Sequence, residues 1–425
     1  MTFTPERSTA NQTVQAGIEV TPGVAVAANR RIDCYDFQFG PKVNLKKTSG
    51  TGRKYPSVQQ LNAEWIEGSF TGSMDYNGLI YAFAGALGIA NPVAHGSSAV
   101  AKDWIYDAIL SGSRQPQTYS FEQGETATRA HKFAYGLIKK LNYKFNRQTD
   151  ASVTGDVLAQ QVSDGITMTA SPTPVVLSPI TGQNFNLYID TTAAGLGVTQ
   201  VLKSLSAEFN IDTLYGPAWF INRANPSFSS HVDLNPNSTF KFKVEADAAG
   251  MASLGDMRTG VTKFARVEAL GPVIDNNQTV TLGAQSSGSF SLIYKGQTAS
   301  GIAYNATAAT VQTALQGLST IGAGNALVTG SAGGPYTVTF AGALALDTTA
   351  LTGTFTLLTT PANAAITQTQ TYARFWHDMA IKIGQPSNWA DDSGIYAIEW
   401  TCDIFEDSTW GHAHQATITN LLTAL

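Results

Sequence analysis

The stretch KFAYGLIKKLNYKF, residues 132–145, alternates apolar and polar side chains along most of its length. A strand sends successive side chains to opposite faces, so this alternation predicts a strand or hairpin with one packed and one solvated face. Gly136, near the middle, predicts a bulge or a bend. The apolar positions are Phe133, Tyr135, Leu137, Leu141, Tyr143 and Phe145, and Lys139 interrupts the series.

The composition extends this β character to the whole chain. Of the 425 residues, 43% are hydrophobic, so a sizeable core is available, and only 13% are charged, about half the share in an average globular protein. Many glycines and small polar residues favour short strands and turns over charged amphipathic helices. The length allows roughly two to four domains. A net charge of −5 gives no reason to expect a basic surface that binds nucleic acid.

The cysteines and the hydropathy of the chain indicate the cellular compartment in which we expect the protein. Cys34 and Cys402 match no metal-binding or CxxC spacing, so we expect two buried thiols in a reducing cytoplasm. The polar N-terminus has no features of a signal peptide. The most apolar run, residues 78–90, is too short to span a bilayer and predicts a core helix that opens near Asp75 and stops at Gly88.

The order of predicted elements suggests a duplication. The pattern strand–strand–helix–strand–strand–strand occurs once before the proline-rich segment at residues 163–183 and once after it. We therefore divide the chain into an N-terminal arm, a first module, a linker, a second module and an insert. These are residues 1–30, residues 31–162, residues 163–183, residues 184–277 with 371–425, and residues 278–370.

The insert differs sharply in composition from the rest. Between residues 279 and 370, Lys295 and Asp347 are the only Asp, Glu, Lys or Arg residues. Apolar alternation at residues 290–294 and 336–340 and helical spacing at 305–318 predict a small core of its own. Such a unit belongs in a surface loop, where insertions are tolerated.

Residues 40–57 are rich in lysine and glycine and show no periodicity, so we expect a long loop. Its five cations would form a basic patch on an acidic protein, either as a solvated face or as a contact with an acidic neighbouring molecule. They are the candidate interface residues: Lys42, Lys46, Lys47, Arg53 and Lys54.

No catalytic motif is evident. Gly195-Leu-Gly197 lacks the third glycine of a dinucleotide fingerprint, and His412-Ala-His414 has no third metal ligand nearby in the sequence. We expect no catalytic, cofactor-binding or metal-binding residues, and a structural protein rather than an enzyme.

Several stretches resemble the major tail tube proteins of long-tailed, siphovirus-type bacteriophages. The stretches are VQAGIEVTPGVAVAANRRI (14–32), SVQQLNAEWIEGSFTGSMDYNGLIYAFAGALG (57–88), TYSFEQGETATRAHKFAYGLIKKLNYKF (118–145) and the closing GIYAIEWTCDIFED and ITNLLTAL. The insert, through NATAATVQTALQGL (305–318) and GSAGGPYTVTFAGALA (330–345), resembles a domain that recurs in structural proteins of actinobacteriophages.

The resemblance implies a β-sandwich with a flanking helix, whose sheets join those of neighbouring copies into a β-barrel. Rings of three chains (a pseudo-hexamer) or six would stack into a tail tube in the virion, assembled in the host cytoplasm. The arm and the basic loop would lock successive rings. The implied partners are further copies, the tape measure protein, and the tail terminator and distal tail proteins; no membrane is involved.

In such a tube, genome DNA passes through the lumen without specific binding, so a near-neutral or acidic lining is expected. We expect the lysines of residues 132–144 to face outward or an adjacent sheet, and the strand's partner in the second half to be residues 372–383. The alternatives are a surface adhesin or carbohydrate-binding protein, and a capsid decoration or minor tail protein.

Overall fold

The computed structural model describes residues 12–96, 98, 100–125, 129–221, 225–345 and 347–425. Over these residues the fold is mainly β, as the composition predicts, with sheets packed face to face and no closed barrel. The first half contains β1 (Thr13–Ile18), β2 (Arg30–Arg31), β3 (Tyr35–Thr48), β4 (Val58–Ser73), α1 (Leu79–Leu87), β5 (Val93–Ala94), β6 (Lys102–Asp107), β7 (Tyr119–Glu125), β8 (Arg129–Asn146), β9 (Ser152–Ala159), β10 (Ser163–Ile166) and β11 (Thr173–Pro174).

The second half follows the same course with one interruption. It contains β12 (Phe185–Asp190), β13 (Ser204–Asp212), β14 (Tyr215–Ala218), β15 (Ser230–Asp233), β16 (Asn237–Glu245), α2 (Ala248–Met251), α3 (Ser253–Thr259), β17 (Thr262–Thr281), β23 (Ala365–Pro386), β24 (Ala390–Asp392), β25 (Ile395–Ile404) and β26 (His414–Asn420). Between β17 and β23 lie β18 (Ser289–Tyr294), β19 (Gln297–Ala303), α4 (Ala308–Gln316), β20 (Ala326–Gly330), β21 (Tyr336–Phe340) and β22 (Thr352–Thr354).

The two halves repeat one pattern of strand pairing. Six antiparallel pairings of the first half are β1–β7, β3–β4, β4–β9, β7–β8, β8–β9 and β8–β10. The second half has the matching pairings in the same chain order, namely β12–β17, β13–β16, β16–β25, β17–β23, β23–β25 and β23–β26. We call these two units the first and second repeat.

A turn shared by both repeats supports the equivalence. Asp75 accepts hydrogen bonds from the backbone N–H groups of Asn77 and Gly78 before α1, at 2.8 and 2.9 Å. Asp247 accepts one from Gly250 at 2.9 Å at the same point of the second repeat. Because this turn uses Asp75, α1 begins four residues later than predicted, and it ends as predicted before Gly88.

Strand β8 belongs to two sheets. Its first part pairs with β7 and β10, and its second part with β9 and β13. The change occurs at a bulge beside Gly136, as predicted, where Tyr135 has a φ of 60°. A second register shift lies between Ile138 and Lys140, which explains why Lys139 interrupts the apolar series.

The apolar–polar alternation in the sequence predicts the buried face correctly for only part of β8. Residues Lys140 to Asn146 have one buried and one solvated face, as predicted. In contrast, Ala134, Gly136 and Ile138 are buried as well as their apolar neighbours, because α1 covers that part of the strand. Ile138 meets the helix at Gly85, where an added Cβ would lie 2.6 Å from its side chain.

The repeats are joined within one continuous sheet. The β8–β13 pairing places eight strands in the order β3, β4, β9, β8, β13, β16, β25, β23, four from each repeat. The hydrogen-bonded partner of β8 in the second half is therefore β13. Residues 372–383, expected as its partner in the duplicated half, lie in β23, which holds the equivalent place in the second repeat. Residues of β23 instead meet β8 through side chains across the core, as Tyr143 and His377 do.

The described residues form two hydrophobic clusters. The larger one contains buried residues from both repeats, from Ala16 to Ile418. All members of the smaller one lie between Val280 and Ile366, including the helical positions Val311 and Leu315. The smaller cluster thus belongs to the segment predicted as an insert, which continues from the paired strands β17 and β23.

Two segments expected to lie outside the core are part of it. The proposed arm at residues 1–30 contains β1, which pairs along β7 with Ala16 buried; residues 1–11 lie outside the described residues. The proline-rich linker at residues 163–183 pairs with β8 and β2 and buries Val175 and Ile180. Short edge strands bury few apolar side chains. Both segments are therefore rich in small residues or proline, and their sequences did not predict that they pack on the core.

The expected loop at residues 40–57 is wrong. Strand β3 runs to Thr48 and pairs with β4 from Val58 onward, so only residues 49–57 form a turn. Residues 41–48 and 58–62 are exposed on both faces, which leaves a two-stranded ribbon extending from the body. No core imposes a period of two on such a ribbon, so the sequence shows none.

Candidate subunit interface

The ribbon, residues 41–62, carries every cation of the predicted basic patch. Lys42, Lys46 and Lys47 lie on β3, and Arg53 and Lys54 lie in the turn at its tip. All five are exposed. Across the described ranges, none of the five forms an ion pair. The structure therefore gathers the candidate residues on one projecting element and leaves their charges available.

The ribbon also carries apolar side chains that the sequence analysis missed. Leu45 lies directly opposite Leu61, and these side chains are 38% and 49% exposed. Val43 and Val58 are about half exposed, and Tyr55 at the tip is 80% exposed. A two-stranded ribbon with no packed face is marginally stable alone, so these residues need a covering surface. The sequence feature that could have identified these residues is the presence of two apolar positions on each side of the turn TSGTGRKYPS.

Both ends of the eight-stranded sheet have an unpaired edge. Within the described part of the chain, β3 pairs with β4 alone, although it is 14 residues long. At the other end, Pro386 and β24 pair with β25 on one side, and side chains 387–391 are exposed. Long unpaired edges invite pairing with another chain, and natural proteins protect them unless they are used.

The solvated face of this sheet balances its charges. Lys140 lies opposite Asp156, Lys243 opposite Glu399, and Lys382 opposite Asp403. Glu208 lies between two lysines, Lys144 on β8 and Lys241 on β16. Opposite charges directly across strands attract. The face therefore presents mixed charge and no basic stripe.

Three of the four lysines of β8 are divided between two surfaces. Lys132 lies in the first part of the strand, where its Nζ is 3.3 Å from Oε1 of the buried Glu122. That carboxylate also accepts hydrogen bonds from Thr169 and Gln15, which together lower its pKa despite burial. Lys140 and Lys144 lie on the solvated face of the eight-stranded sheet.

A groove of about 870 Å³ opens between the base of the ribbon and the β14–β15 hairpin. Trp65 of β4 and Trp219 meet edge to face, with ring centroids 5.6 Å apart. Phe220 and Ile221 on its rim are strongly exposed. The groove extends the apolar surface of the ribbon onto the body.

His377 and His414 lie in a buried hydrogen-bonded chain. Tyr143 Oη lies 2.9 Å from Nδ1 of His377, whose Nε2 lies 3.0 Å from Nδ1 of His414. Burial lowers the pKa of His377 well below its usual range and that of His414 to about 4, so both are neutral at pH 7. His412 bonds Asp107 instead. The described residues contain no group of three or more His, Cys, Asp or Glu side chains that could hold a metal ion.

The aromatic residues of the smaller cluster bear on the adhesin alternative. Tyr294 and Tyr336 are fully buried, and Tyr304 packs against the same cluster. These three therefore do not form the exposed aromatic surface that would support a carbohydrate-binding insert.

No family model and no curated protein matches the chain. Within the described ranges, the longest helices have nine residues, and none is long and apolar enough to cross a membrane.

Proposed function

We propose that this chain is the tail tube subunit of a long-tailed bacteriophage, and that three copies form each ring. The observation that carries the proposal is the continuous sheet of two four-stranded repeats, unpaired at both ends. A chain with two different, complementary ends joins head to tail and closes into a ring if the rotation permits. Three chains supply six repeats, which agrees with the hexagonal tubes implied by the resemblance.

Ring closure pairs the two sheet edges that are unpaired in the single chain. Joining β3 of one copy to the far end of the sheet in the next removes both edges, as closure does in any barrel. The sheet packs one face against the core, so the other face lines the channel. This assignment places Lys140 and Lys144 toward the lumen, in contrast to our expectation that they face outward.

The charge pattern of that face suits a conduit. DNA held by many unopposed cations would bind and not slide, because each neutralised phosphate adds to affinity. Here the lysines lie beside carboxylates, as Lys140 lies beside Asp156. Phosphates therefore meet no continuous basic track, and a polyanion can move past.

The ribbon is suited to contacts between stacked rings. Its exposed leucines and valines would be covered, and its five cations would meet an acidic surface on the neighbouring ring. The smaller cluster at residues 280–366 lies outside the eight-stranded sheet, and we assign it to the exterior of the tube.

Negative-stain microscopy of the purified protein tests the proposal. Rings or tubes with a central channel are expected, in a fraction that rises with protein concentration. Persistent monomers that bind glycans would overturn it in favour of an adhesin.

A further inference from the structure

The junction between the repeats has the same two kinds of strand as the free ends. At the internal junction, β8 of the first repeat pairs with β13 of the second. The pairing pattern makes β3 the equivalent of β13, and the β23–β24 segment the equivalent of β8. The free ends of the sheet are therefore the same two strands, each lacking the partner that its counterpart has inside the chain.

We infer that the contact between copies reproduces the internal junction, with β3 of one copy paired antiparallel to residues 386–391 of the next. The partner is a second copy of this chain. The inference rests on the proposed ring, and it adds the identity of the strands and their register.

The register follows from rows of residues that lie opposite one another across the sheet. Such a row in the first repeat is Phe37, Phe70, Gly155 and Leu141. The matching row in the second repeat is Ala207, Phe242, Trp400 and Pro386. Phe70 and Phe242 each precede the Asp of the shared turn by five residues, which fixes the correspondence.

The same correspondence gives Glu208 and Lys144, two residues of the internal junction, their counterparts at the free edges of the sheet. Glu208 follows Ala207, so its counterpart is Gln38, which follows Phe37. Lys144 lies opposite Ser152, three residues before Gly155. Ala390 lies opposite Ala397, three residues before Trp400, so Ala390 is the counterpart of Lys144.

Lys144 and Glu208 lie opposite one another at the internal junction, with Nζ and Oε2 3.8 Å apart. The contact between copies therefore places Gln38 opposite Ala390. Both side chains are exposed in the single chain. Trp389 next to Ala390 is 60% exposed, and it would be covered by the incoming strand.

Disulfide trapping tests this register. The variant Gln38→Cys/Ala390→Cys is expected to give covalent trimers on oxidation, which reducing agent returns to single chains. Asp36→Cys/Ala390→Cys, displaced by two residues or about 7 Å along β3, is the matched control and should give far less. Each single variant and the natural protein report any contribution from Cys34 and Cys402.

Charge variants supply a second readout. Gln38→Lys/Ala390→Lys places like charges opposite one another and should lower the assembled fraction. Gln38→Glu/Ala390→Lys transplants the internal pair and should restore it.

Microscopy of the same samples separates two kinds of failure. Rings that form while the designed pair stays reduced, or crosslinks no better than the displaced pair, would overturn the inferred junction and leave the ring intact. Absence of rings in the natural protein would overturn the proposed function as well.

Discussion

Leu141 of β8 lies directly opposite Ile211 of β13, so an outer strand of the first repeat's four-stranded set is hydrogen-bonded to an outer strand of the second's. Both side chains are fully buried. This single pairing turns two similar units into one sheet and leaves each outer end of that sheet without a partner. The predictions below concern the joint, the ribbon, the insert and the buried core behind the sheet.

The apolar pair on the ribbon is expected to serve assembly rather than folding. Leu45→Asn/Leu61→Asn should change the free energy of unfolding of the single chain by less than about 1 kcal/mol, because exposed substitutions cost little. It should abolish tubes in sedimentation and microscopy. Val198→Asn/Leu202→Asn, at two apolar positions outside the ribbon that are more exposed than the ribbon leucines, is the control. Normal tubes from the ribbon variant would refute this role.

The cations at the tip are expected to act in ring stacking. Arg53→Glu should weaken tubes while leaving single rings, because it replaces an attraction with a repulsion at an acidic neighbour. Arg258→Glu, an equally exposed arginine on α3, should leave tube length unchanged. Tube lengths measured across salt concentrations check both, and equal lengths for the two variants would count against the basic patch.

The insert is expected to be dispensable for assembly. Residues 278–370 contain the smaller hydrophobic cluster, and Asp275 lies opposite Thr371 where the two strands enter this segment. Replacing residues 276–370 with a two-residue Asn-Gly turn links Asp275 directly to its partner Thr371 and should leave rings and tubes intact, since that turn suits an antiparallel hairpin. Soluble protein that no longer forms rings would show that the insert takes part in the ring.

The bend in β8 requires glycine at position 136. A Cβ there would lie 2.5 Å from the Phe121 ring and 2.8 Å from the carbonyl oxygen of Tyr119. Gly136→Ala should therefore lower the free energy of unfolding by about 1–3 kcal/mol. Gly255→Ala, in α3 with open space around it, should be neutral or slightly stabilising. Urea unfolding of both variants decides the point.

The buried histidines predict a loss of stability in acid. Between pH 6.5 and about 4, the unfolded chain binds a proton at His414 that the folded chain does not, so the free energy of unfolding falls as pH falls through this window. The slope approaches about 1.4 kcal/mol per pH unit for each such histidine. His414→Gln should reduce the slope measured from pH 7 to pH 5. An unchanged slope in His414→Gln would contradict the assignment.

Sequence reasoning reached the elements that have one buried and one solvated face. The end of β8 alternates because one side packs on the core. It failed where that asymmetry is absent. The ribbon strands are solvated on both faces, so Val43 and Leu45 gave no periodic signal among the lysines.

The duplication was visible as an order of elements, whereas the joint between repeats was not. Pairing of Leu141 with Ile211 links residues 70 positions apart, and nothing local in either strand specifies it. The unpaired edges are likewise a property of the whole sheet. The five cations could be assigned to one patch from sequence because they lie close together in the chain.

The number of chains in one ring tests the central claim most directly. Mass measurement of isolated rings should give about three times the chain mass of 45.1 kDa, with six similar lobes in end-on microscopy views. Six chains per ring, or a protein that remains a single chain at all concentrations, would contradict the account.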